Sequence, residues 1–424
     1  MTPDEGLTRR DFLKKSAVAA AALTMGTTAV ARAEEAAAPL HCGIIGTGSQ
    51  GRQLMRQILR LPDVKIAAVC DIYPPNLEEG LKLATEAKAY KDYRRLLARD
   101  DLKAVIVATP LDRHAYMSID GLHAGKWVFC EKAMARTIDL AKAMARAVRE
   151  TGCHMQIGHQ RRYSPMYQHA YKMVKDGMLG TITHVRAQWN RNGSWRRSLP
   201  DEKYEQLLNW RLYWEHSGGL MTELGSHQMD AVNWFLDARP LAVTGMAGLD
   251  YWKDGREVWD NVQCIFEYPG NDKVDKVRVT YQSICTNAFD DCAEQFMGDK
   301  GTLIMTSNGA EDSGRLIREA GSEEVEWSQF AHKQKLGDKD AIVLDAQATV
   351  HKTASQKEGE ALTAQEHADD YFLELQQFFK DVRAGTKPVC DVQVGLESDV
   401  TVLVANEAMR TGRRIEYTPD MFRA

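Results

Sequence analysis

The chain has 424 residues, 44% of them hydrophobic, which is enough for two domains with their own hydrophobic cores. Its formal net charge of -5 and its pI of about 6.2 give no case for nucleic acid as a partner. After residue 33, no segment approaches the roughly 18 consecutive apolar residues of a membrane-spanning helix, so we expect the mature chain to be soluble.

Residues 1–33 are typical of an export signal rather than of a folded domain. Arg9 and Arg10 lie in a segment, TRRDFLK, that resembles the twin-arginine translocation motif. A mildly apolar stretch follows and ends at the small residues Ala31 and Ala33, which suit a cleavage site. We therefore expect the twin-arginine translocase as a partner and a periplasmic location. The alternative is an uncleaved helical anchor, but the apolar stretch is short and rich in Ala and Thr.

The next stretch is typical of a dinucleotide-binding turn. An apolar run ends in Gly46-x-Gly48-x-x-Gly51, and a second apolar run ends at Asp71. Gly46 would allow the tight turn, Gly48 would let a pyrophosphate approach, and Gly51 would let the helix pack closely on the sheet. The alternative is an unliganded turn with incidental glycines. Asp71 favours NAD, because a carboxylate repels the 2′-phosphate of NADP, but a basic residue such as Arg52 leaves NADP open.

Helical and strand-like segments then alternate as far as Gly158, which predicts a parallel doubly wound α/β sheet over residues 40–160. The segments begin with a helix predicted over Pro74 to Lys88. A ligand of such a sheet binds at the carboxyl ends of its strands, where Thr109 and Lys132 fall.

Residues 161–420 are predicted to form a second α/β domain that shapes the substrate pocket. Several segments alternate polar and apolar residues with a period of two, which favours a large open sheet, mostly antiparallel or mixed. We expect this sheet to mediate a homo-oligomer. The stretch from Asn192 to Glu215 is rich in Trp and Arg, which suggests a functional loop or else a dimer contact. Residues 309–364 are polar and weakly patterned, which suggests an insertion.

The eight cysteines give no metal-site spacing and no CxxC pair, so we predict no metal. An oxidising periplasm would allow disulfides, but these spacings specify none.

Taken together, these motifs resemble the glucose–fructose oxidoreductase, inositol dehydrogenase and MocA (Gfo/Idh/MocA) family. The matching segments run in order along the chain: Gly43–Gly51, Ala108–His114, Gly125–Lys132, Gly158–Pro165, Gly218–His227, Gly298–Thr302 and Arg410–Arg414. The resemblance implies an N-terminal Rossmann domain, a C-terminal α/β domain, a nicotinamide cofactor, and a sugar, polyol or glycoside as substrate. It carries the cofactor-binding role onto Gly46, Gly48, Ser49, Gln50, Gly51, Asp71, Thr109, Pro110, His114, Glu131 and Lys132.

Three features depart from the family pattern. Ala133 stands where the family has a proline that often follows a cis peptide, which leaves open whether the Lys132–Ala133 peptide is trans. Glu223 stands where many dehydrogenase members have an Asp, four residues before the catalytic His. The redox-neutral glycoside hydrolases of the family carry a different sequence around that His.

The candidate catalytic residues are Lys132, His227 and Glu223. Oxidation of a secondary alcohol needs a base for the hydroxyl proton, and the unperturbed pKa of histidine, about 6.5, suits His227 to that role. Lys132 would stabilise the developing alkoxide, and Glu223 or Asp230 would orient His227.

Four further residues are candidate substrate contacts, and the alternative for the first three is that they fix the domain junction. They are Arg161, Arg162, Tyr163 and Asp230.

Export bears on the reaction type, because the periplasm has no obvious pool of soluble NAD. We therefore expect a tightly bound cofactor that is loaded before export and regenerated in each cycle. Two reaction types satisfy this condition. One oxidises a first sugar and then reduces a second, and the other cleaves a glycoside without net redox change through a transient keto sugar. A non-catalytic sugar-binding protein that retains the cofactor is the third alternative.

Overall fold

The N-terminal half is built on a six-stranded, wholly parallel sheet in the order β3-β2-β1-β4-β5-β6. The computed structural model describes residues 38–307, 312–319, 322, 332–336, 339–344 and 369–424. The six strands are β1 (Leu40–Ile45), β2 (Val64–Cys70), β3 (Lys88–Tyr90), β4 (Ala104–Val107), β5 (Trp127–Glu131) and β6 (Met155–Gly158). This order confirms the predicted doubly wound sheet.

Five helices cross between these strands: α1 (Ser49–Ile58), α2 (Pro74–Leu83), α3 (Tyr93–Leu97), α4 (Leu111–His123) and α5 (Ile138–Thr151). The ends of α5 follow from its sequence. The hydroxyl of Thr137 accepts a hydrogen bond from the Leu140 amide at 3.3 Å, and Gly152 ends the helix with a left-handed φ of 67°.

The helix predicted from Pro74 to Lys88 is wrong beyond Leu83. Lys88–Tyr90 instead forms β3, which pairs in parallel with Ala68 to Cys70 at the sheet edge. The apolar pattern of three residues does not reveal such a strand, because its stabilisation comes from backbone pairing with a distant segment.

The second sheet has ten strands in the order β14-β15-β13-β12-β11-β7-β10-β9-β8-β16. β7 pairs in parallel with β10, whereas the other pairs are antiparallel, so the predicted mixed sheet is confirmed. The strands are β7 (Ile182–Trp189), β8 (Ala242–Gly248), β9 (Asn261–Asn271), β10 (Val274–Ile284), β11 (Cys292–Gly298), β12 (Gly301–Ser307), β13 (Asp312–Arg318), β14 (His332–Leu336), β15 (Lys339–Leu344) and β16 (Ile415–Glu416).

Within residues 309–364, predicted to be an insertion, the structure describes strands β13, β14 and β15 together with Glu319 and Ser322. The rest of that range lies outside the described residues, so the insertion remains a prediction. These strands extend the sheet through backbone hydrogen bonds, which do not require a periodic side-chain pattern. The proposed export signal, residues 1–33, also lies outside the described residues.

Helices cover one face of the second sheet, and no helix of the described residues covers the other face. The helices in contact with this sheet are α6 (Pro165–Lys175), α8 (Gly219–Glu223), α9 (Gly225–Leu236) and α11 (Val392–Thr411). Two further helices of this part of the chain are α7 (Glu205–Leu208) and α10 (Asp370–Ala384). Val243 and Phe266 are buried beneath the helices, whereas Met246 and Ile265 on the opposite face are 80% and 49% exposed. The open face is thus partly apolar.

α10 is distant in sequence from the first sheet but packs against it. Leu375, Phe378 and Phe379 join a buried cluster with core residues of β1 and α1, including Ile44 and Leu54. The hydrophobic core of the first sheet therefore includes residues of α10, which lies more than 200 positions after the last strand of that sheet.

All eight cysteines lie in the described residues, and none is paired. No helix in the described segments is long and apolar enough to cross a membrane.

Candidate functional site

The glycine turn between β1 and α1 has the geometry that its spacing predicts. Gly46 has a left-handed φ of 95°, and a Cβ there would lie 2.4 Å from the Ala108 carbonyl oxygen. A Cβ at Gly51 would lie 1.9 Å from the Gly46 carbonyl oxygen, so the helix can approach the turn only without a side chain. A Cβ at Gly48 would meet nothing closer than 3.9 Å, which leaves that side of the turn open to a ligand.

The start of α1 offers the electrostatic features of a phosphate site. Gly48 is the N-cap and supplies no side-chain hydrogen bond, so the first amides of the helix remain available to an anion. The guanidinium of Arg197 reaches this end of the helix and donates to the Ser49 hydroxyl at 3.2 Å. The open side of Gly48, the uncapped amides and this cation together fit a dinucleotide pyrophosphate.

Asp71 lies at the end of β2, as predicted, and its carboxylate is held beside the glycine turn. One oxygen accepts from the Thr47 amide at 2.9 Å, and the other accepts from the Tyr73 amide at 2.8 Å. Arg52 donates to the Thr47 carbonyl at 2.6 Å and not to Asp71. Asp71 therefore has the position from which a carboxylate contacts the ribose of NAD. Arg52 lies beside the same turn, where a basic side chain could also pair with the 2′-phosphate of NADP.

Glu131 and Lys132 follow β5 at the carboxyl edge of the first sheet. Glu131 accepts from the side-chain amide of Gln50 at 2.7 Å, and burial raises the pKa of its carboxyl group. The Nζ of Lys132 donates to the Glu223 carbonyl at 2.8 Å. Burial lowers the pKa of Lys132, whereas the nearby carboxylates oppose that shift. The sequence left open whether the peptide between Lys132 and Ala133 is trans, and the structure shows that it is cis.

His114, predicted to bind the cofactor, lines the cavity but has both ring nitrogens against backbone carbonyls. Nδ1 is 2.8 Å from the Ala133 oxygen, and Nε2 is 2.9 Å from the Thr109 oxygen. Its contacts tie the ends of β4 and β5 together. Pro110 is the N-cap of α4, directly after Thr109.

His227 lies on α9 and is 5% exposed, and its Nδ1 has no hydrogen-bond partner among the described residues. Its ring centroid is 5.3 Å from that of Trp189 at the end of β7. Burial lowers the pKa of His227 well below its usual value, and the positive charge of Lys132 acts in the same direction. The imidazole is therefore neutral at physiological pH and able to accept a proton.

The partners of the Glu223 carboxylate are residues other than His227. One oxygen accepts from the Ser217 hydroxyl at 3.2 Å, and the other lies 3.3 Å from the Nε of Arg211. Its contact with Lys132 is made by the backbone carbonyl. Glu223 thus reaches the site through Lys132 and Arg211 instead of through His227.

The prediction that Asp230 orients His227 or contacts substrate is not supported by its contacts. Asp230 is buried, receives two hydrogen bonds from the Nε and one from the Nη2 of Arg162, and accepts from the Ser398 hydroxyl at 2.7 Å. The histidine beside it is His159, whose Nδ1 is 3.8 Å from the carboxylate. A spacing of three residues places Asp230 near His227 in sequence, but the packing of α9 turns it toward a different neighbour.

Arg161, Arg162 and Tyr163 lie in a short 3₁₀ helix at the junction between the sheets, and none of them lines the cavity. Arg161 forms a buried ion pair with Glu294, and the Tyr163 hydroxyl accepts from the Cys390 amide at 3.3 Å. Their contacts are those of the domain junction, the alternative that the sequence left open.

One cavity of about 340 Å³ connects the predicted cofactor and catalytic residues. It brings together Ser49, Gln50, Thr109, His114, Glu131, Lys132, Glu223 and His227. Its wall also contains residues that the sequence did not single out: Trp189, Arg191, Trp195, Arg197, Trp210, Arg211 and Tyr371. Four of these, Trp195, Arg197, Trp210 and Arg211, lie in the Trp- and Arg-rich stretch, whose composition indicated a functional loop without identifying its members. No cluster of metal-ligating side chains occurs in the part of the chain that the structure describes.

Family models match two successive parts of the chain. Residues 40–159 match an oxidoreductase family with an NAD-binding Rossmann fold, and residues 167–304 match the GFO/IDH/MocA C-terminal domain. The first match covers the six-stranded sheet, and the second extends from α6 into β12.

Individual relatives are more distant. Inositol 2-dehydrogenase of Salmonella typhimurium is 30% identical over 202 residues, 47% of this chain and 55% of that protein. A glycosyl hydrolase family 109 protein of Shewanella pealeana is 28% identical over 237 residues, 49% of this chain and 51% of that protein. The chain thus spans about half the length of the curated relatives it matches.

Among solved structures, an aldose–aldose oxidoreductase from Caulobacter crescentus superimposes with a TM-score of 0.69 at 20% identity. The match covers 89% of this chain and all of that one, which shows a shared fold. Because two domain models of one family match in succession, the chain belongs to the Gfo/Idh/MocA family of oxidoreductases.

Proposed function

We propose that this protein is an NAD(P)-dependent oxidoreductase that acts on a secondary hydroxyl of a sugar, polyol or glycoside. The observation that supports this activity is that Lys132 and His227 line one cavity with Ser49 of the dinucleotide turn. Residues from the two domains thereby line one space, in which a cofactor and a substrate can lie side by side.

His227 and Lys132 would have different roles in the reaction. When bound, the nicotinamide supplies the hydride-accepting carbon. The neutral imidazole of His227 accepts the hydroxyl proton. The ammonium of Lys132, held by the Glu223 carbonyl, donates a hydrogen bond to the reacting oxygen and stabilises its developing negative charge.

A substrate screen tests this proposal. The purified protein is incubated with NAD or NADP and with inositol, aldoses or their glycosides. Reduction of the nicotinamide cofactor is followed by absorbance. The proposal is supported if the cofactor is reduced in the presence of a polyol or sugar and if Lys132→Met and His227→Asn each lower that rate about a hundredfold or more. Equal reduction by the wild type and both variants would contradict it.

Redox-neutral glycoside cleavage is the second candidate, because the glycosyl hydrolase relative matches the chain about as well as the inositol dehydrogenase does. Product analysis with aryl glycosides separates the two. Release of the aglycone without net change in cofactor redox state would establish cleavage, whereas an oxidised sugar would establish net oxidation. A cofactor-retaining protein without catalysis would give neither product.

Export and cofactor retention form a linked proposal. The motif around Arg9 and Arg10 supports transport by the twin-arginine pathway into the periplasm, and such transport of folded protein would let the cofactor be loaded beforehand. Mass spectrometry of the natively purified protein should find bound NAD or NADP. Cell fractionation should find the wild type in the periplasm, and the R9K/R10K variant should remain in the cytoplasm. Purified protein without cofactor, or unchanged fractionation of the variant, would contradict the respective part.

The open face of the second sheet is proposed as the homo-oligomer contact. Its exposed apolar side chains, Met246 and Ile265, would be buried between copies. Light scattering should detect an oligomer that Ile265→Glu dissociates. A wild-type monomer would overturn this part of the proposal.

A further inference from the structure

The cavity wall carries an excess of positive charge. The lining cations are Lys132, Arg191, Arg197 and Arg211, whereas the only lining carboxylates within the described part of the chain are Glu131 and Glu223. Burial raises the pKa of Glu131, which weakens its contribution of negative charge near neutral pH. A cavity of this composition favours an anionic occupant.

Three of these cations already have an assigned partner. Lys132 and Arg211 are held by the carbonyl and the carboxylate of Glu223, respectively. Arg197 contacts Ser49 at the start of α1, so it belongs with the pyrophosphate of the cofactor. Among the described residues that line the cavity, this leaves Arg191 as the cation without an assigned partner.

Arg191 forms no ion pair with any residue that the structure describes. Its guanidinium instead lies over the ring of Trp195, 4.9 Å from the ring centroid. Burial lowers the pKa of Arg191, and the neighbouring positive charge of Arg211 acts in the same direction, whereas the carboxylate of Asp291, which is not in ion-pair contact, opposes the shift. A half-buried guanidinium beside a second cation is held at an electrostatic cost that an anionic ligand would offset.

Arg191 lies two residues after Trp189, on backbone that continues β7, and it lines the same cavity as His227. The Arg191 amide donates to the Ile284 carbonyl at 2.8 Å, which continues the pairing at the end of β7. Trp189, two residues earlier, is the residue whose ring faces His227. Arg191 is therefore on the substrate side of the cavity, whereas Arg197 is on the phosphate side.

The loop that covers Arg191 is itself held in place. Trp195 has a left-handed φ of 63°, and the preceding Ser194 carbonyl accepts from the guanidinium of Arg256 at 2.5 Å. Arg256 forms an ion pair with Asp254 at 2.7 Å. These contacts preorganise the ring and the guanidinium before a ligand arrives.

We propose that the substrate is a sugar acid, whose carboxylate is bound by Arg191 while its hydroxyl faces His227. This inference rests on the proposed oxidoreductase function and narrows its substrate class. A guanidinium presents two parallel N–H donors that match the two oxygens of a carboxylate. One unpaired guanidinium offsets one negative charge, so a carboxylate fits better than the dianion of a sugar phosphate.

Binding is measured separately from turnover. D-Glucuronate and D-galacturonate are compared with D-glucose, D-galactose and glucose 6-phosphate, using the holoprotein and the quenching of tryptophan fluorescence, because Trp189, Trp195 and Trp210 line the cavity. At least one acid should bind about tenfold or more tightly than its neutral counterpart. Its affinity should fall as the salt concentration rises.

Substitution assigns the preference to one side chain. Arg191→Gln should remove the preference for the acid, Arg191→Lys should retain part of it, and the exposed control Arg186→Gln on β7 should leave it unchanged. Equal binding of acid and neutral sugar, an unchanged preference in Arg191→Gln, or tighter binding of glucose 6-phosphate would each overturn the sugar-acid proposal.

The two proposals fail in different ways. Neutral polyols that are oxidised while both acids fail to bind would remove the sugar acid and leave the oxidoreductase. Acids that bind through Arg191 but are neither oxidised nor used to reduce a second sugar would support the substrate class and remove the oxidoreductase activity.

Discussion

The two sides of the cavity are built by different means. On the cofactor side, the decisive features are backbone ones: the φ of Gly46, the absent Cβ at Gly51 and the free amides at the start of α1. On the substrate side, the wall consists of long side chains, among them Trp189 and Arg191. A backbone site suits a ligand part that stays constant, such as a pyrophosphate, whereas side chains can change with the substrate without altering the fold.

The largest expected effect is on turnover from the substrate side. His227→Asn should lower kcat about 10²- to 10⁴-fold, because it removes the proposed base and retains a polar side chain. The urea midpoint should change little, since Nδ1 of His227 has no partner to lose among the described residues. Initial rates and denaturation curves measure the two effects. A large fall in stability with unchanged turnover of the folded fraction would contradict a catalytic role for His227 and indicate a structural one.

A matched pair of glycine variants tests the cofactor side. Gly46→Ala should cost at least about 2 kcal/mol of stability, because alanine meets both a left-handed φ and the Ala108 carbonyl. Gly48→Ala should fold normally, since its φ of -62° is ordinary and its Cβ has room, but it should weaken NAD binding by filling the approach of the pyrophosphate. Denaturation and cofactor titration measure these outcomes, and equal stability losses in both variants would contradict the assignment.

Arg197 is the exception on the cofactor side, because it is a long side chain that reaches the start of α1 from the second domain. Arg197→Gln should weaken cofactor binding about tenfold, through loss of a cation beside the start of α1. Lys203→Gln, an exposed cation on the same stretch that pairs with Asp201, is the control and should have no effect. Titration of the apoprotein with NAD provides the comparison. Unchanged affinity in Arg197→Gln would restrict the phosphate site to backbone groups.

The smallest expected effect is a shift in pH dependence. A base must be unprotonated, so kcat/KM should fall as the pH drops through the pKa of His227, which burial and Lys132 place below the usual value of about 6.5. In Lys132→Met, loss of the positive charge should raise that pKa and move the residual acidic limb upward, by on the order of one pH unit. A pH–rate profile of both proteins checks the sign. A shift toward lower pH would contradict it.

The sequence predicts the cofactor side well, because the requirements at Gly46, Gly51 and Asp71 are local and each falls at a fixed distance from a strand end. It predicts less of the substrate side, where contacts join residues that are distant in the chain. Glu223 and Asp230 both flank His227 in sequence, yet Glu223 turns to Arg211 and Asp230 turns to Arg162. Which partner a buried carboxylate meets depends on helix packing, and no short motif encodes it.

The same limit applies to elements stabilised by pairing. Lys88–Tyr90 and the strands between residues 312 and 344 gain their order from neighbouring strands instead of from their own patterns. Their existence follows from the edges that β2 and β12 leave available, which only the assembled sheets reveal.

α10 has a consequence for dissecting this protein. Leu375, Phe378 and Phe379 complete the core of the first sheet, and the side chain of Asp369 accepts from Gln57 of α1 at 2.6 Å. A fragment cut at residue 159 would expose the apolar surface that this helix covers and should aggregate or fold weakly. Exchanging nucleotide-binding modules between family members would therefore require transplanting the helix along with the module.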